Sequence, residues 1–337
     1  MINIAIIGMG KIGKLRAETI LKNSNTKLIA AFDVDDTQLN DFPDIIKCNN
    51  VDDIFKLVEL DAVMICTFNK YAPEYTIKAL ESNLHVFCEK PPARTSQEVK
   101  EVIEVENNCS LILKYGFNHR YHHSVVEAKK LIKNEVFGKL LWMRGVYGKA
   151  GGNQFSKNWR NNKEESGGGI LLDQGIHMLD LMRFFAGDFE EVKSMVKTNY
   201  WNVEVEDNAF AIMQTKNNVL ASIHSSATQW RHKFLLEMSF ENGYINLEGI
   251  LSGTRSYGDE TLSIAKRQFE DDTFAMGKPR EEKIFFDTDE SWKLELEEFV
   301  DCVLNNKKAY NGNSEDALKV MELVESIYNQ SGYYNEK

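Results

Sequence analysis

The residues that most restrict this chain are its first twenty, MINIAIIGMGKIGKLRAETI. The run at 2–8 is apolar without strict alternation, as a strand covered on both faces requires, and 12–23 has helical period. Between them lies GMGKIG. In such a strand–turn–helix unit Gly8 makes the tight turn, Gly10 lets backbone approach a pyrophosphate, and Gly13 lets helix and strand pack. The helix start then points its free N–H groups at the anion. Asp33 stands 20 residues past Gly13, at the end of the next apolar run KLIAAFD, where a carboxylate takes the adenosine ribose hydroxyls. The backbone from Gly8 through Met9, Gly10, Lys11 and Ile12 to Gly13 is therefore predicted to bind a dinucleotide. NAD is favoured over NADP because Asp33 repels a 2′-phosphate. Asp35 and Asp36 add to that preference, and Lys11 and Lys14 weaken it slightly. The plainer reading is a glycine turn beside an unrelated surface Asp, but it leaves the agreement of motif and context unexplained.

Short β-rich runs recur at 27–33, 62–68, 85–90 and 110–117, separated by helical periods at 52–58, 71–83 and 95–107. Strands apolar on both faces that alternate with helices imply a parallel sheet covered on both sides. Thr95 and Glu98 fit a capping box for the last of these helices. Past residue 120 the pattern changes to a helix at 123–134 and a strand at 140–148. From 190 on, strands follow one another directly, with KNN (216–218) and ENG (241–243) as hairpin turns. That succession implies an antiparallel sheet and a second domain. Helices at 291–305 and 314–330 close the chain, the second with Ser314 as its N-cap. The loop 148–168 and the stretch 252–282 carry the weakest pattern and are expected to be the most mobile.

A chain of 337 residues, 43% hydrophobic and 27% charged, has room for two packed domains. Its net charge of −11 argues against nucleic acid or an anionic membrane surface as partner. No apolar run reaches the length of a membrane span, and the N-terminus lacks the basic leader of a signal peptide. Cys48, Cys66, Cys88, Cys109 and Cys302 show no CxxC spacing. They read as small buried hydrophobes in a reducing compartment rather than as disulfides or a zinc cage. The expected location is the cytoplasm.

Two further motifs carry ionisable groups. CEKPP (88–92) sets Glu89 and Lys90 at the carboxyl edge of the parallel sheet, where ligands bind in such folds, ahead of two prolines that stiffen the turn. A solvated Glu–Lys pair at a strand end explains it equally well. SGGGILLDQGIHMLD (166–180) sets Asp173 and His177 four residues apart, hence on one helix face, with Asp180 on its flank. A buried charge is costly unless it is paired or used. The glycines ahead of it let backbone approach a ligand, and histidine is readily poised to move a proton near neutral pH. A buried Asp–His pair that fastens two domains is the structural alternative. A metal held with His119, His122 and His123 is a third reading. Those histidines lack a ligand spacing, a solvated helix start explains them better, and no metal is expected.

In this order the motifs resemble the glucose-fructose oxidoreductase/inositol dehydrogenase/MocA family of nicotinamide-dependent oxidoreductases, over nearly the whole chain. HVFCEKP resembles the family's EKP motif, GFNHRY (116–121) the segment leaving the first domain, and NWRNN…SGGGILLDQGIHMLD the catalytic stretch. The resemblance implies an α/β chain: an N-terminal Rossmann doubly wound parallel sheet at 1–119, then a C-terminal α+β domain at 120–337. That second domain would carry an open, mostly antiparallel sheet, with the helices at 291–330 returning to the first. It implies catalytic roles for Lys90, Asp173 and His177. Thr67, Asn69, Glu89 and Lys90 would join the glycine loop and Asp33 around the cofactor. Asn118, Trp159 and Arg160 would join Asp173 and His177 around the substrate, with a surface Trp–Arg stack as the plain alternative for Trp159 and Arg160. The implied substrate is a sugar, cyclitol or nucleotide-activated sugar oxidised at a ring hydroxyl, and the implied assembly a homodimer or homotetramer formed through the C-terminal sheet. His177 or Lys90 would accept the proton. A ketosugar reductase using NADPH and a non-catalytic dinucleotide-binding regulator are the alternatives. One departure is TFNKYA (67–72), where the family often shows TPNxxH: Phe68 and Ala72 replace its proline and histidine.

Overall fold

The computed structural model describes residues 1–268 and 278–333. Residues 269–277, part of the weakly patterned stretch 252–282, lie outside the described residues, as do 334–337. The chain begins β1 (Ile2–Ile7), α1 (Lys11–Lys22), β2 (Thr26–Phe32), β3 (Ile46–Lys47), α2 (Val51–Phe55), β4 (Ala62–Ile65), α3 (Ala72–Glu81), β5 (His85–Glu89), α4 (Ser96–Glu106) and β6 (Leu113–Gly116). It continues α5 (His123–Lys133), β7 (Leu140–Gly148), α6 (Lys163–Ser166), α7 (Ile176–Ala186), β8 (Phe189–Lys197), β9 (Asn208–Thr215) and β10 (Leu220–Ser226). Then come β11 (Lys233–Phe240), β12 (Gly243–Glu248), β13 (Glu260–Lys266), β14 (Glu281–Phe286), α8 (Ser291–Asn305) and α9 (Ser314–Ser331).

The described residues form two compact units. One comprises 1–118, 164–167 and 292–321; the other comprises 119–163, 168–291 and 322 onward. In the first, six strands pair in parallel in the order β3-β2-β1-β4-β5-β6. This is the Rossmann order, whose topological switch point lies between β1 and β4. Ile4, Ile6, Ala62 and Met64 are fully buried, as a sheet covered on both faces demands, and Leu296, Phe299 and Cys302 of α8 share their core. The Thr95–Glu98 capping box is formed at the start of α4. Two elements are shorter than their sequence pattern suggests. β6 begins only at Leu113, because the Ile112 N–H leaves the ladder for His85 Nδ1 at 2.9 Å. α2 stops at Phe55 after five residues, capped by the Asn50 side chain.

The second unit holds eight strands in the order β14-β13-β12-β11-β7-β10-β9-β8. Every neighbouring pair is antiparallel except β7 with β10. α7 lies on one face of this sheet. Gly145 of β7 leaves room for it, since a Cβ there would stand 2.8 Å from Met178 Cγ and 2.5 Å from Met182 Cε. Among the described residues no helix is long and apolar enough to cross a membrane. All five cysteines are free thiols, with Cys48, Cys88 and Cys302 buried and Cys66 and Cys109 half-buried.

Candidate active site

The three glycines of the first loop do different work. Gly8 ends β1 with φ +94°, and a Cβ there would lie 2.6 Å from the Cys66 oxygen just past β4. Gly13 is tighter, its Cβ falling 1.9 Å from the Gly8 oxygen. At Gly10 a Cβ would meet nothing within 4 Å. Gly10 is also the N-cap of α1 and brings no side-chain cap, so the first N–H groups of the helix are left for an outside partner. Beside them Asp33 takes the Met9 N–H at 2.5 Å and the Asp35 N–H at 2.9 Å, which fixes its carboxylate against the loop. An open helix start next to a held carboxylate fits a diphosphate and its ribose, and a side chain at position 10 would fill that cradle. Farther along the same sheet edge, Thr67 is half-buried, and buried Asn69 donates to the Ser166 carbonyl at 2.7 Å.

Glu89 is not the solvated strand-end carboxylate of the simpler sequence reading. It faces the fully buried Arg16 of α1 at 2.6 Å, and Arg16 also meets Glu295 of α8 at 2.5 Å. The guanidinium carbon lies over the rings of Phe87 (4.3 Å) and Trp292 (4.4 Å). Gly116 is glycine because a Cβ would stand 2.8 Å from Glu89 Oε2. With two carboxylates on one guanidinium, burial pushes Glu295 up to about 7 despite the pull of Arg16 and Lys114. Lys90 follows, half-buried, and its peptide bond to Pro91 is cis.

In the second unit the helix expected to carry Asp173 and His177 is not α-helical throughout. Leu171–Gly175 form a π turn that runs into α7. Asp173 meets Lys149 Nζ at 2.5 Å and Arg160 Nε at 3.0 Å, while the His177 ring stacks on His119 with centroids 3.7 Å apart. The glycine run is likewise explained by packing. Gly167 sits at φ +80° against Arg94, a Cβ on Gly168 would meet the Tyr328 hydroxyl at 2.3 Å, and one on Gly169 the Glu206 oxygen at 2.1 Å. Buried Glu206 accepts from the Gly169 N–H (2.7 Å), the Leu171 N–H (2.9 Å) and the Tyr328 hydroxyl (2.8 Å), and so fixes where the helix starts.

A recess of about 80 Å³ opens beside this turn, lined among others by Lys149, Phe155, Asn158, Arg160, Asp173 and His232. Burial and then Lys149 push the His232 imidazole down, so it is neutral at neutral pH. Arg160 lies 4.5 Å over the Trp159 ring, the stack of the plain alternative, and also reaches Asp173. Asn118 is buried at the head of a 3₁₀ turn, Asn118–Tyr121. The histidines after it do not form a solvated helix start. His119 and His122 are buried, the first 2.9 Å from the Tyr147 hydroxyl and the second 2.7 Å from Glu260. Burial pushes the Tyr147 phenol well up, with the Tyr257 and Asp173 charges adding to it, so it remains an O–H. Burial also works to raise Glu260, but His122 and Ser124 outweigh it and hold that carboxyl down at about 2. Among the described residues no three His, Cys, Asp or Glu side chains gather as metal ligands do. Sequence reasoning missed Lys149, Asn158 and His232. Lys149, the first residue past β7, carried the one usable signal, a strand-end position.

A family model described as "Oxidoreductase family, NAD-binding Rossmann fold" matches residues 2–117, and the "GFO/IDH/MocA C-terminal domain" model matches residues 125–246. Fold and matches together define a dinucleotide-binding oxidoreductase of the sugar-dehydrogenase type. The chain belongs to the GFO/IDH/MocA family. It is 28% identical over 271 residues to D-glucoside 3-dehydrogenase of Escherichia coli (strain K12), covering 71% of this chain and 74% of that one. It is 27% identical over 244 residues to 2,7-anhydro-N-acetylneuraminate hydratase of Mediterraneibacter gnavus, covering 70% of this chain and 64% of that one, just under two thirds of its length. Levoglucosan dehydrogenase in complex with NADH shares the fold, with a TM-score of 0.86 over 98% of this chain and 97% of that one at 19% identity.

Proposed function

We propose that the protein transfers a hydride between NAD and a ring hydroxyl of a sugar, cyclitol or nucleotide-activated sugar. The observation that carries this reading is the glycine loop: a helix start left open at Gly10, with Asp33 fixed beside it. The names of the glucoside and levoglucosan dehydrogenases support a carbohydrate substrate, and the Lys149, Asn158, Arg160 and Asp173 side chains lining the recess suit one. NAD is preferred over NADP because the Asp33 carboxylate repels a 2′-phosphate and Lys14 is committed to Asp41 at 2.7 Å. The backbone of Gly8–Gly13 would hold the pyrophosphate and Asp33 the ribose, with Thr67, Asn69, Glu89 and Lys90 flanking the remainder.

When bound, the nicotinamide supplies the acceptor for the hydride. His177 takes the hydroxyl proton as the carbinol C–H releases its hydride and a ketone forms. Lys90 donates a hydrogen bond to that oxygen and stabilises the negative charge developing on it. Asp173, oriented by Lys149 and Arg160, accepts from a neighbouring hydroxyl. Asn118 and Trp159 complete the substrate contacts.

The test follows nicotinamide absorbance with NAD or NADP against inositols, free sugars and UDP- or GDP-sugars, with Lys90→Met alongside. One panel member is expected to reduce NAD. In the variant, turnover should fall by roughly a hundredfold or more while NADH affinity stays within a few-fold. An active Lys90→Met removes the lysine's assignment. Silence across the panel with NADH binding intact removes the dehydrogenase reading.

A further inference from the structure

We propose that an aromatic shelf beside the Asp173 recess is a stacking subsite for a second pyranose ring, so that the preferred substrate is a disaccharide-like glycoside rather than a free monosaccharide. This rests on the carbohydrate reading above. Four rings form the shelf: by ring centroids Phe155 lies 4.8 Å from Trp201, tilted, while Tyr200 meets Trp201 at 5.0 Å and Trp230 at 4.8 Å, both edge to face, so each exposed ring offers its own face. Tyr200 is 64% and Trp230 59% exposed. Large apolar rings gathered at the surface of a folded unit mark a place where something binds.

The shelf is built and held. Fully buried Asp207 accepts from the backbone N–H of Asn199 and Tyr200 at 2.8 Å and of Trp201 at 2.9 Å. The Trp201 indole donates to the Ala227 carbonyl at 3.0 Å. Gly151 sits at φ +72°, and a Cβ there would stand 2.3 Å from the Trp201 ring, so only glycine lets this loop lie against the indole. Trp230 is kept at φ +55°, a conformation rare for a bulky residue that persists where the surroundings over-determine it, as at ligand clamps.

Position and chemistry select the occupant. Gly151 and Phe155 line the recess as well as the shelf, and His232, two residues past Trp230, lines the recess too. A sugar seated on Asp173 would therefore direct its neighbour along the same loops onto the rings. The C–H face of a pyranose packs on an aromatic face while its hydroxyl edge stays in water, which matches rings that are apolar on one side and open on the other. The two exposed rings cover at most about 500 Å². That falls short of the about 800 Å² per partner that a stable protein interface buries.

The test measures steady-state kinetics of the full-length enzyme with NAD on glucose, galactose and mannose against maltose, cellobiose and lactose. At least one disaccharide is expected to show a KM roughly tenfold below that of its free hexose. Trp230→Ala should raise that KM to the hexose value with kcat within about twofold, and Trp230→Phe should retain most of the preference. Equal KM values in the parent, or a preference that survives Trp230→Ala, overturn the proposal. Tryptophan fluorescence titration of the same disaccharides in the presence of NADH separates this failure from that of the catalytic reading. A saturable change lost in Trp230→Ala without any oxidation keeps the shelf and removes the dehydrogenase. No change on titration removes the shelf.

Discussion

Gly10 and Gly13 have the same side chain and opposite roles, and substitution separates them. A methyl at 13 would overlap the Gly8 oxygen at 1.9 Å, so Gly13→Ala pushes α1 off β1 and is expected to cost roughly 2–4 kcal/mol, seen as a lower urea midpoint. A methyl at 10 meets no atom of the chain, so Gly10→Ala should leave that midpoint within about 0.5 kcal/mol. It should nonetheless weaken NADH binding roughly tenfold or more, because the methyl stands where the diphosphate must approach. Undiminished NADH binding by Gly10→Ala would mean that the cradle is not there. Asp33 calls for a different choice of variant. Its carboxylate ties down Met9 and Asp35, so alanine would loosen the loop as well as remove the charge. Asp33→Asn keeps the size of the side chain and one of its two acceptor oxygens, and fluorescence titration should show NADPH affinity rising toward that of NADH. An unchanged ratio would remove Asp33 from ribose recognition.

At the level of elements, α8 is joined to α1 and β5 through Glu295, Arg16 and Glu89, and that junction has a pH signature. Burial raises Glu295 from its ordinary 4.5 to about 7. Between those values the native state holds a proton that the unfolded chain has released, so stability falls as pH rises through the window and levels off above it. Urea midpoints from about pH 5 to about pH 8 should decline in the parent and flatten in Glu295→Gln; parallel curves would show that Glu295 titrates normally. Glu260 runs the other way: held at about 2 by His122 and Ser124, it stabilises above 4.5, and that contribution is lost as pH falls through 2. Sequence made some of these elements plain and hid others. β1, α1, the parallel sheet and the Thr95 cap are written in local pattern, which a reader of period and capping residues recovers. β14 is an exposed EEKIFF edge with no apolar alternation, and β3 is two residues long, so neither leaves a periodic trace. The π turn leaves none either, and its start is fixed by Glu206, some 35 residues away in sequence. The glycines at 168 and 169 were legible as glycines but not as neighbours of Tyr328 and Glu206, which only the folded chain supplies.

At the scale of the whole molecule, the outer face of the second sheet around β8, β9 and β10 carries large exposed apolar side chains among the polar Lys193, Gln214 and Ser222. Met195 pairs across to Phe210, which pairs to His224, and the Phe210 and His224 rings stack at 3.8 Å. In the next rows stand Ile212 and then Leu220 opposite Trp142 of β7. Met195 is 77%, Ile212 64% and Phe210 52% exposed. An antiparallel sheet with one packed and one solvated face alternates apolar and polar residues, and β9 breaks that rule by placing Phe210 and Ile212 on its outer side. We propose that a second copy of the chain covers this face, sheet against sheet at about 10 Å, a spacing that interdigitated side chains of this size fill. Several adjacent strands offer enough width for the about 800 Å² per partner that a stable dimer buries, which the aromatic shelf does not. Sedimentation velocity is expected to show a dimer or larger assembly at micromolar concentration. Ile212→Arg, which sets a charge at the centre of the patch and touches neither the glycine loop nor the recess, should weaken association by roughly a hundredfold or more while leaving NADH binding intact. A parent chain that sediments as a monomer would leave this face without its partner and remove the proposal; an Ile212→Arg variant as associated as the parent would move the interface elsewhere on the chain.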